Sequence, residues 1–177
     1  MSRRRVFFSF HYERDYWRVQ QVINIGALEG NRPVSAQDWE EVKRRGDEAI
    51  KRWINEQMEG RTCVIVLIGA ETASRKWVLY EIRRGWERGM GVMGIYIHKL
   101  EDQEGKQDVK GPNPFENFVL QDEAFSSVVK AHDPVGSTGK EAYRHIEDNI
   151  TKWVEEAIEI RKKYGDLKIT QVSGPRV

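Results

Sequence analysis

Ser74, Trp77 and Glu81 stand three and four residues apart in the segment Ser74-Arg75-Lys76-Trp77-Val78-Leu79-Tyr80-Glu81. In a helix that spacing puts all three on one face. Tyr80 and Ile82 flank Glu81, so its carboxylate would be partly desolvated, a setting that perturbs an acid's pKa and suits it to chemistry. A capping serine, a core tryptophan and a surface glutamate would satisfy the same spacing, and on spacing alone that plainer arrangement is the commoner one. Asn113, between Pro112 and Pro114, is a second polar candidate, in a stiff turn from which an amide could reach a crevice. Asparagine is equally an ordinary turn residue.

Absent motifs narrow the chemistry. No Gly-x-Gly-x-x-Gly follows the first apolar run, and the chain has no Gly-Lys-Ser/Thr phosphate loop and no Gly-x-Ser-x-Gly elbow. His11, His98, His132 and His145 are dispersed without ligand-like spacing, so no metal site is expected. A phosphoacceptor receiver domain would need an acidic pair after its first strand and an aspartate ending its third; Phe8-Ser9-Phe10 and Ile68-Gly69-Ala70 supply neither. Twenty-nine Lys and Arg against twenty-eight Asp and Glu leave a net charge of +1, so no global pull toward nucleic acid or anionic membrane is expected. The basic clusters Lys43-Arg44-Arg45 and Arg161-Lys162-Lys163 read as solvated faces. Cys63 is the one cysteine and sits in an apolar run, which excludes an intramolecular disulfide and suggests a buried thiol in a reducing compartment. No apolar stretch approaches the roughly 20 residues that span a bilayer, and the basic start lacks a signal core. A cytoplasmic protein is expected.

The elements that must position these residues follow from periodicity. Residues 5–10 form a short apolar run that reads as a buried first strand, and Tyr16, Val19, Val22 and Ile23 then recur at helical spacing, with Asp15 where a first-turn acid belongs. Gly30, Pro33 and Ser35 punctuate residues 26–46, which suggests a long, partly irregular loop with a short second strand at Val34. Asp47 can cap a helix with Ile50, Trp53, Ile54 and Met58 on one stripe, closed by Gly60. The unbroken run at 62–68 suits a central strand covered on both faces. Ser74 should begin a helix with Val78, Leu79, Ile82 and Trp86 inward, and residues 91–97 form the next strand. After a mixed segment at 98–139, Tyr143, Ile146, Ile150, Trp153, Val154, Ala157 and Ile160 share one face of a long helix. The expected organisation is a single domain over residues 1–164, with a flexible tail at 165–177. Alternating strands and helices predict an α/β fold with a parallel sheet, helices on both faces, and ligands collecting at the carboxyl ends of the strands.

Two segments carry a family resemblance. Val6-Phe7-Phe8-Ser9-Phe10 and Ser74-x-x-Trp77-x-x-x-Glu81 resemble, in order, the two signature boxes of Toll/interleukin-1 receptor (TIR) domains. Asp38-Trp39-Glu40-Glu41-Val42-Lys43-Arg44-Arg45-Gly46-Asp47, Val66-Leu67-Ile68-Gly69-Ala70-Glu71-Thr72 and Gly94-Ile95-Tyr96-Ile97 are closer to the TIR-like branch of bacteria and archaea, which includes the TIR component of Thoeris antiphage systems. The similarity runs from about Val6 to Trp153.

The resemblance implies a three-layer flavodoxin-like domain that consumes NAD+ as substrate, with no resident cofactor and no metal. Catalytic members of the family cleave the nicotinamide–ribose bond, and some cyclise or conjugate the ADP-ribose into a messenger for a partner effector protein. Glu81 matches the family's catalytic glutamate, and a carboxylate suits an oxocarbenium-like ribose, as in glycoside hydrolysis. Ser74 and Trp77 match the same box as pocket-lining or helix-positioning residues. Ser9, Phe10 and His11, leaving the first strand, can offer backbone donors to phosphate and an aromatic wall to a flat ring; a core Phe10 and a solvent-facing His11 are the alternative. Asp38 falls where the family has a mobile assembly loop, and is otherwise charged surface. A homo-oligomer is compatible with this reading. A non-catalytic TIR-like interaction module is the alternative function, since a fold does not fix an activity.

Overall fold

The computed structural model describes residues 3–31 and 36–177, with the side chain of Ala36 outside the description. The first apolar run forms β1 (Val6–Ser9) and is followed by α1 (Tyr12–Ile23), whose first turn carries Glu13 and Asp15. Helices α2 (Ala36–Arg44) and α3 (Asp47–Met58) lead to β2 (Cys63–Ile68). A single 3-10 turn at Thr72–Ser74 precedes α4 (Lys76–Glu87) and β3 (Gly91–Tyr96). The long mixed segment contains β4 (Phe118–Leu120), β5 (Glu123–Ala124), the one-turn α5 (Phe125–Val128) and β6 (Ala131–His132). Helix α6 (Gly139–Tyr164) and β7 (Ile169–Gln171) complete the chain.

Strands β1, β2, β3 and β6 pair in that order, all parallel, to form the central sheet. Period-two alternation sends neighbouring side chains to opposite layers. Phe7, Val64, Val66 and Ile68 pack with Ile50, Ile54 and Met58 of α3 and with Val78, Ile82 and Trp86 of α4. Val6, Phe8, Ile65 and Leu67 pack with Val19 and Val22 of α1 and with Ile146, Ile150 and Val154 of α6. Two apolar layers around one parallel sheet make the three-layer α/β, flavodoxin-like arrangement. Cys63 is fully buried and free, and burial pushes its thiol pKa well up. Helix α6 comes so close to β3 that a Cβ on Gly91 would stand 2.9 Å from the Ala157 carbonyl carbon. None of the described helices is long and apolar enough to cross a membrane.

The outer edge of β1 is described as far as Asn31. The predicted strand at Val34 lies outside the described residues. A single parallel bridge joins Arg5 to Glu29, with the Val6 N–H donating to the Glu29 carbonyl at 2.8 Å. Beyond it the Asn31 side chain pairs with the β1 backbone, accepting from the Phe8 N–H at 2.7 Å and facing the Phe8 carbonyl with its amide nitrogen at 3.4 Å.

Three expectations are corrected. Residues 36–44 are helix rather than loop, because Trp39 and Val42 give that stretch one apolar face against the core. Gly46, with Asp47 as the first helical residue, precedes α3, so Asp47 is not its cap. The tail after residue 164 contains β7, which pairs antiparallel with β4 and buries Ile169. Together with β5 these strands form a second, three-stranded sheet beside α4.

Candidate active site

The chain leaves β1 through α1 to Glu29 on one side, and returns through α2 and α3 to β2 on the other. The carboxyl end of β1 is therefore the topological switch point, where parallel sheets open a crevice. A cavity of about 500 Å³ occupies this place. That is an ordinary volume for a small-molecule site.

Glu81 stands in this cavity, on the second turn of α4. Its direction is imposed by its neighbours: Val78, Leu79, Ile82 and Trp86 are buried against the sheet, which turns the intervening position toward the end of β1. There the Ser9 hydroxyl, itself buried, donates to Glu81 Oε1 at 2.6 Å. Burial pushes the Glu81 pKa up to about 8, and the Ser9 hydrogen bond acts in the opposite direction by favouring the ionised form. An acid so placed is mostly protonated in the unliganded site at neutral pH and is readily ionised by a cation brought beside it.

Phe10, His11, Ser74 and Trp77 line the same cavity. Phe10 stacks at 6.3 Å on Tyr12, which also lines it. His11 precedes α1 and is buried; desolvation first, then the nearby Arg75, holds its pKa below the usual histidine range, so it is neutral at pH 7. Trp77 is partly buried and meets Tyr80 edge-on at 5.7 Å. Ser74 corrects the expectation of a shared helix face, since it belongs to the 3-10 turn and its hydroxyl donates to the Glu71 carbonyl at 2.9 Å. It reaches the cavity from the turn, while Trp77 and Glu81 reach it from α4.

Two expected residues lie elsewhere. Asp38 is on an exposed face of α2 and does not line the cavity, whereas its neighbour Trp39 does. Asn113 caps the 3-10 turn at Pro114–Asn117 by accepting from the Phe115 N–H at 2.9 Å, so its amide serves the local turn.

Several lining residues have no clear signature in the sequence. Trp39 and Trp53, on adjacent helices with rings 6.0 Å apart, form an aromatic wall that only the α2–α3 packing creates. Arg75 and Lys76 bring two cations to the start of α4. Lys43 pairs with Glu13 at 3.6 Å across the cavity. Asn31 reads as a turn residue after Gly30, and only its strand-like pairing with Phe8 reveals it as back wall. Adjacency of Arg75 and Lys76 to Ser74 was the one available hint. No group of three or more potential metal ligands occurs among the described residues.

Residues 7–102 match the family described as Thoeris protein ThsB, TIR-like domain. The chain belongs to this ThsB TIR-like family. The matched stretch runs from β1 past β3 and contains Ser9, Ser74, Trp77 and Glu81, the residues brought together at the switch point. A Bacillus cereus (strain MSX-D12) protein named "Putative cyclic ADP-D-ribose synthase ThsB1" is 40% identical over 123 residues, which span 67% of this chain and 64% of that protein's length. Beyond residue 102, β4 to β7 and α6 lie outside the family match, yet Pro175 from this part still lines the ThsB-type cavity.

Proposed function

We propose that this chain cleaves the nicotinamide–ribose bond of NAD+ and converts the ADP-ribose into a cyclic signalling nucleotide for antiphage defence. The observation that carries this reading is Glu81, a desolvated carboxyl held by Ser9 in a cavity at the carboxyl end of β1. Family membership supports it, as does the name of the Bacillus cereus relative.

In the proposed step the bond between ribose C1′ and the pyridinium nitrogen breaks with its electron pair passing to that nitrogen. Nicotinamide leaves neutral and positive charge develops at C1′. The pyridinium cation of the bound substrate lowers the Glu81 pKa, and the resulting carboxylate faces the cationic ribose as the leaving group departs. Attack on C1′ by an adenine nitrogen of the same molecule closes a cyclic ADP-ribose; attack by water with loss of a proton gives ADP-ribose instead. Phe10, Trp39, Trp53 and Trp77 give the cavity aromatic walls that suit flat rings and restrict water, which favours cyclisation. Arg75 and Lys76 suit the pyrophosphate, and Ser9 orients Glu81. NAD+ is here a substrate and no resident cofactor is required. The product would act as a diffusible signal on an effector protein in the cytoplasm.

The test is nicotinamide release from NAD+, followed by chromatography and mass spectrometry, for wild type and Glu81→Gln with and without lysate from phage-infected cells. Release that falls about 100-fold or more in the folded variant is expected, in line with losing one preorganised electrostatic group. The co-product mass, less by one water than ADP-ribose, would mark cyclisation. No release under either condition would refute the enzymatic reading in favour of an association module.

A further inference from the structure

On the side of α4 turned away from Glu81, the helix and β7 enclose a second cavity of about 340 Å³. Arg83, Lys168 and Arg176 bring three cations to its wall, Lys76 stands between it and the first cavity and lines both, and Glu87 is its one acidic side chain. In a chain of net charge +1 this is a local concentration of positive charge. Glu87 is divided between two guanidinium groups, 3.5 Å from Arg83 and 4.0 Å from Arg84. Lys168 pairs with no carboxylate among the described residues, and Arg176 donates to the neutral Gln171 carbonyl at 2.7 Å. Lys76 is 4.0 Å from Asp47 of α3, at the limit of an ion pair.

The shape and chemistry of the groove select its ligand. Arg83 lies 5.5 Å from the centre of the Tyr80 ring, which steadies the guanidinium, and its contact with Glu87 is long at 3.5 Å, so a two-pronged acceptor can compete for its edge. Tyr80 is itself buried, and its hydroxyl accepts from the Asn55 amide at 3.0 Å, so no exposed ring is left for bases to stack upon. A single-stranded nucleic acid would lack the stacking platform such sites use. A concave, small, positively charged space fits a compact polyanion.

We propose that this α4–β7 groove is a second binding site, for a small molecule carrying a pyrophosphate, separate from the NAD+ cavity. Arg83 grips one phosphate, and Lys168 and Arg176 neutralise the other from the β7 side. The site stands whether or not Glu81 is catalytic, because Arg83, Lys168 and Arg176 do not line the first cavity.

Calorimetric titration of the full chain with inorganic pyrophosphate, and separately with ADP, tests this at physiological ionic strength. Saturable binding is expected with both, in wild type and in Arg75→Gln, which removes a cation that the first cavity offers a pyrophosphate; tighter binding of ADP in Arg75→Gln would mean that the nucleoside also makes contact. The double substitution Arg83→Gln with Lys168→Gln should weaken both ligands at least about tenfold, the loss of one or more charge-assisted contacts. Thr170→Glu, which sets a carboxylate on an exposed position of the groove wall, should do the same by repulsion without removing any existing contact. Arg75→Gln, whose lost cation the groove does not share, should leave the affinity unchanged. No saturable binding, or wild-type affinity in either the double variant or Thr170→Glu, would overturn the proposal. Binding lost with Arg75→Gln would also overturn it, by assigning the anion to the first cavity.

Discussion

Replacing Glu81 by Gln should stabilise the fold, and by an amount that grows with pH. Burial raises the Glu81 pKa from 4.5 to about 8. Between those values the folded chain retains a proton that the unfolded chain has released. Folded wild type therefore loses stability as pH rises through this window, and the loss is complete above the folded pKa. The full gap corresponds to about 5 kcal/mol, an upper bound because the site relaxes and admits water. Gln keeps the volume, accepts the Ser9 hydrogen bond and does not titrate, so it escapes this loss. For a domain of this size about 1 kcal/mol moves the melting temperature by roughly 2–4 °C. Differential scanning fluorimetry at pH 5, 6.5 and 8 should show Glu81→Gln melting above wild type by a margin that widens by at least about 5 °C across the series. A margin that is constant, or that narrows toward pH 8, would refute the claim that Glu81 is a desolvated acid. Such a stability cost is the expected companion of the catalytic role proposed for Glu81.

Ser9→Ala removes the 2.6 Å hydrogen bond that favours the ionised carboxylate. The Glu81 pKa should climb by roughly one unit, so the acid limb of kcat/KM for nicotinamide release shifts to higher pH; an unmoved or lowered limb would show that Ser9 does not tune the acid. Gly91→Ala places a methyl group 2.9 Å from the Ala157 backbone and should destabilise the chain by about 1–3 kcal/mol, read from the urea midpoint at constant slope. An unchanged midpoint would mean that α6 does not rest on β3 at this point.

The central strands and most helices are legible in the sequence, because unbroken apolar runs such as 63–68 and the stripes at 50–58 and 78–86 each have one physically sensible burial. Helix α2 escaped notice because only Trp39 and Val42 mark its buried face, too few for a period to show. Among the described residues the outer edge of β1 is met by a backbone bridge at Glu29 and the amide of Asn31, and neither needs an alternating pattern to be recognised in a sequence. Strand β7 is three residues long, and its partner lies about fifty residues earlier in the chain, so nothing local predicts it. At the site, Asn113 and Asp38 show the limit of reading position alone. The turn asparagine caps its own turn, and the acid beside Trp39 is exposed while the ring lines the cavity.

The sequence by itself determined the layers and the two boxes: buried strands, amphipathic helices, and a serine and a glutamate at the ends of segments that could meet. Tertiary structure alone decided that they do meet. Ser9 and Glu81 are 72 positions apart and touch because β1 pairs with β2 in one fixed parallel register and α4 packs along the sheet with its first turns at the carboxyl ends of the strands. Burial, and with it the raised pKa, belongs to that assembly. A side chain's neighbours in the chain fix which face of its own element it occupies, but only the packing of distant elements fixes what that face encounters and how much water remains there.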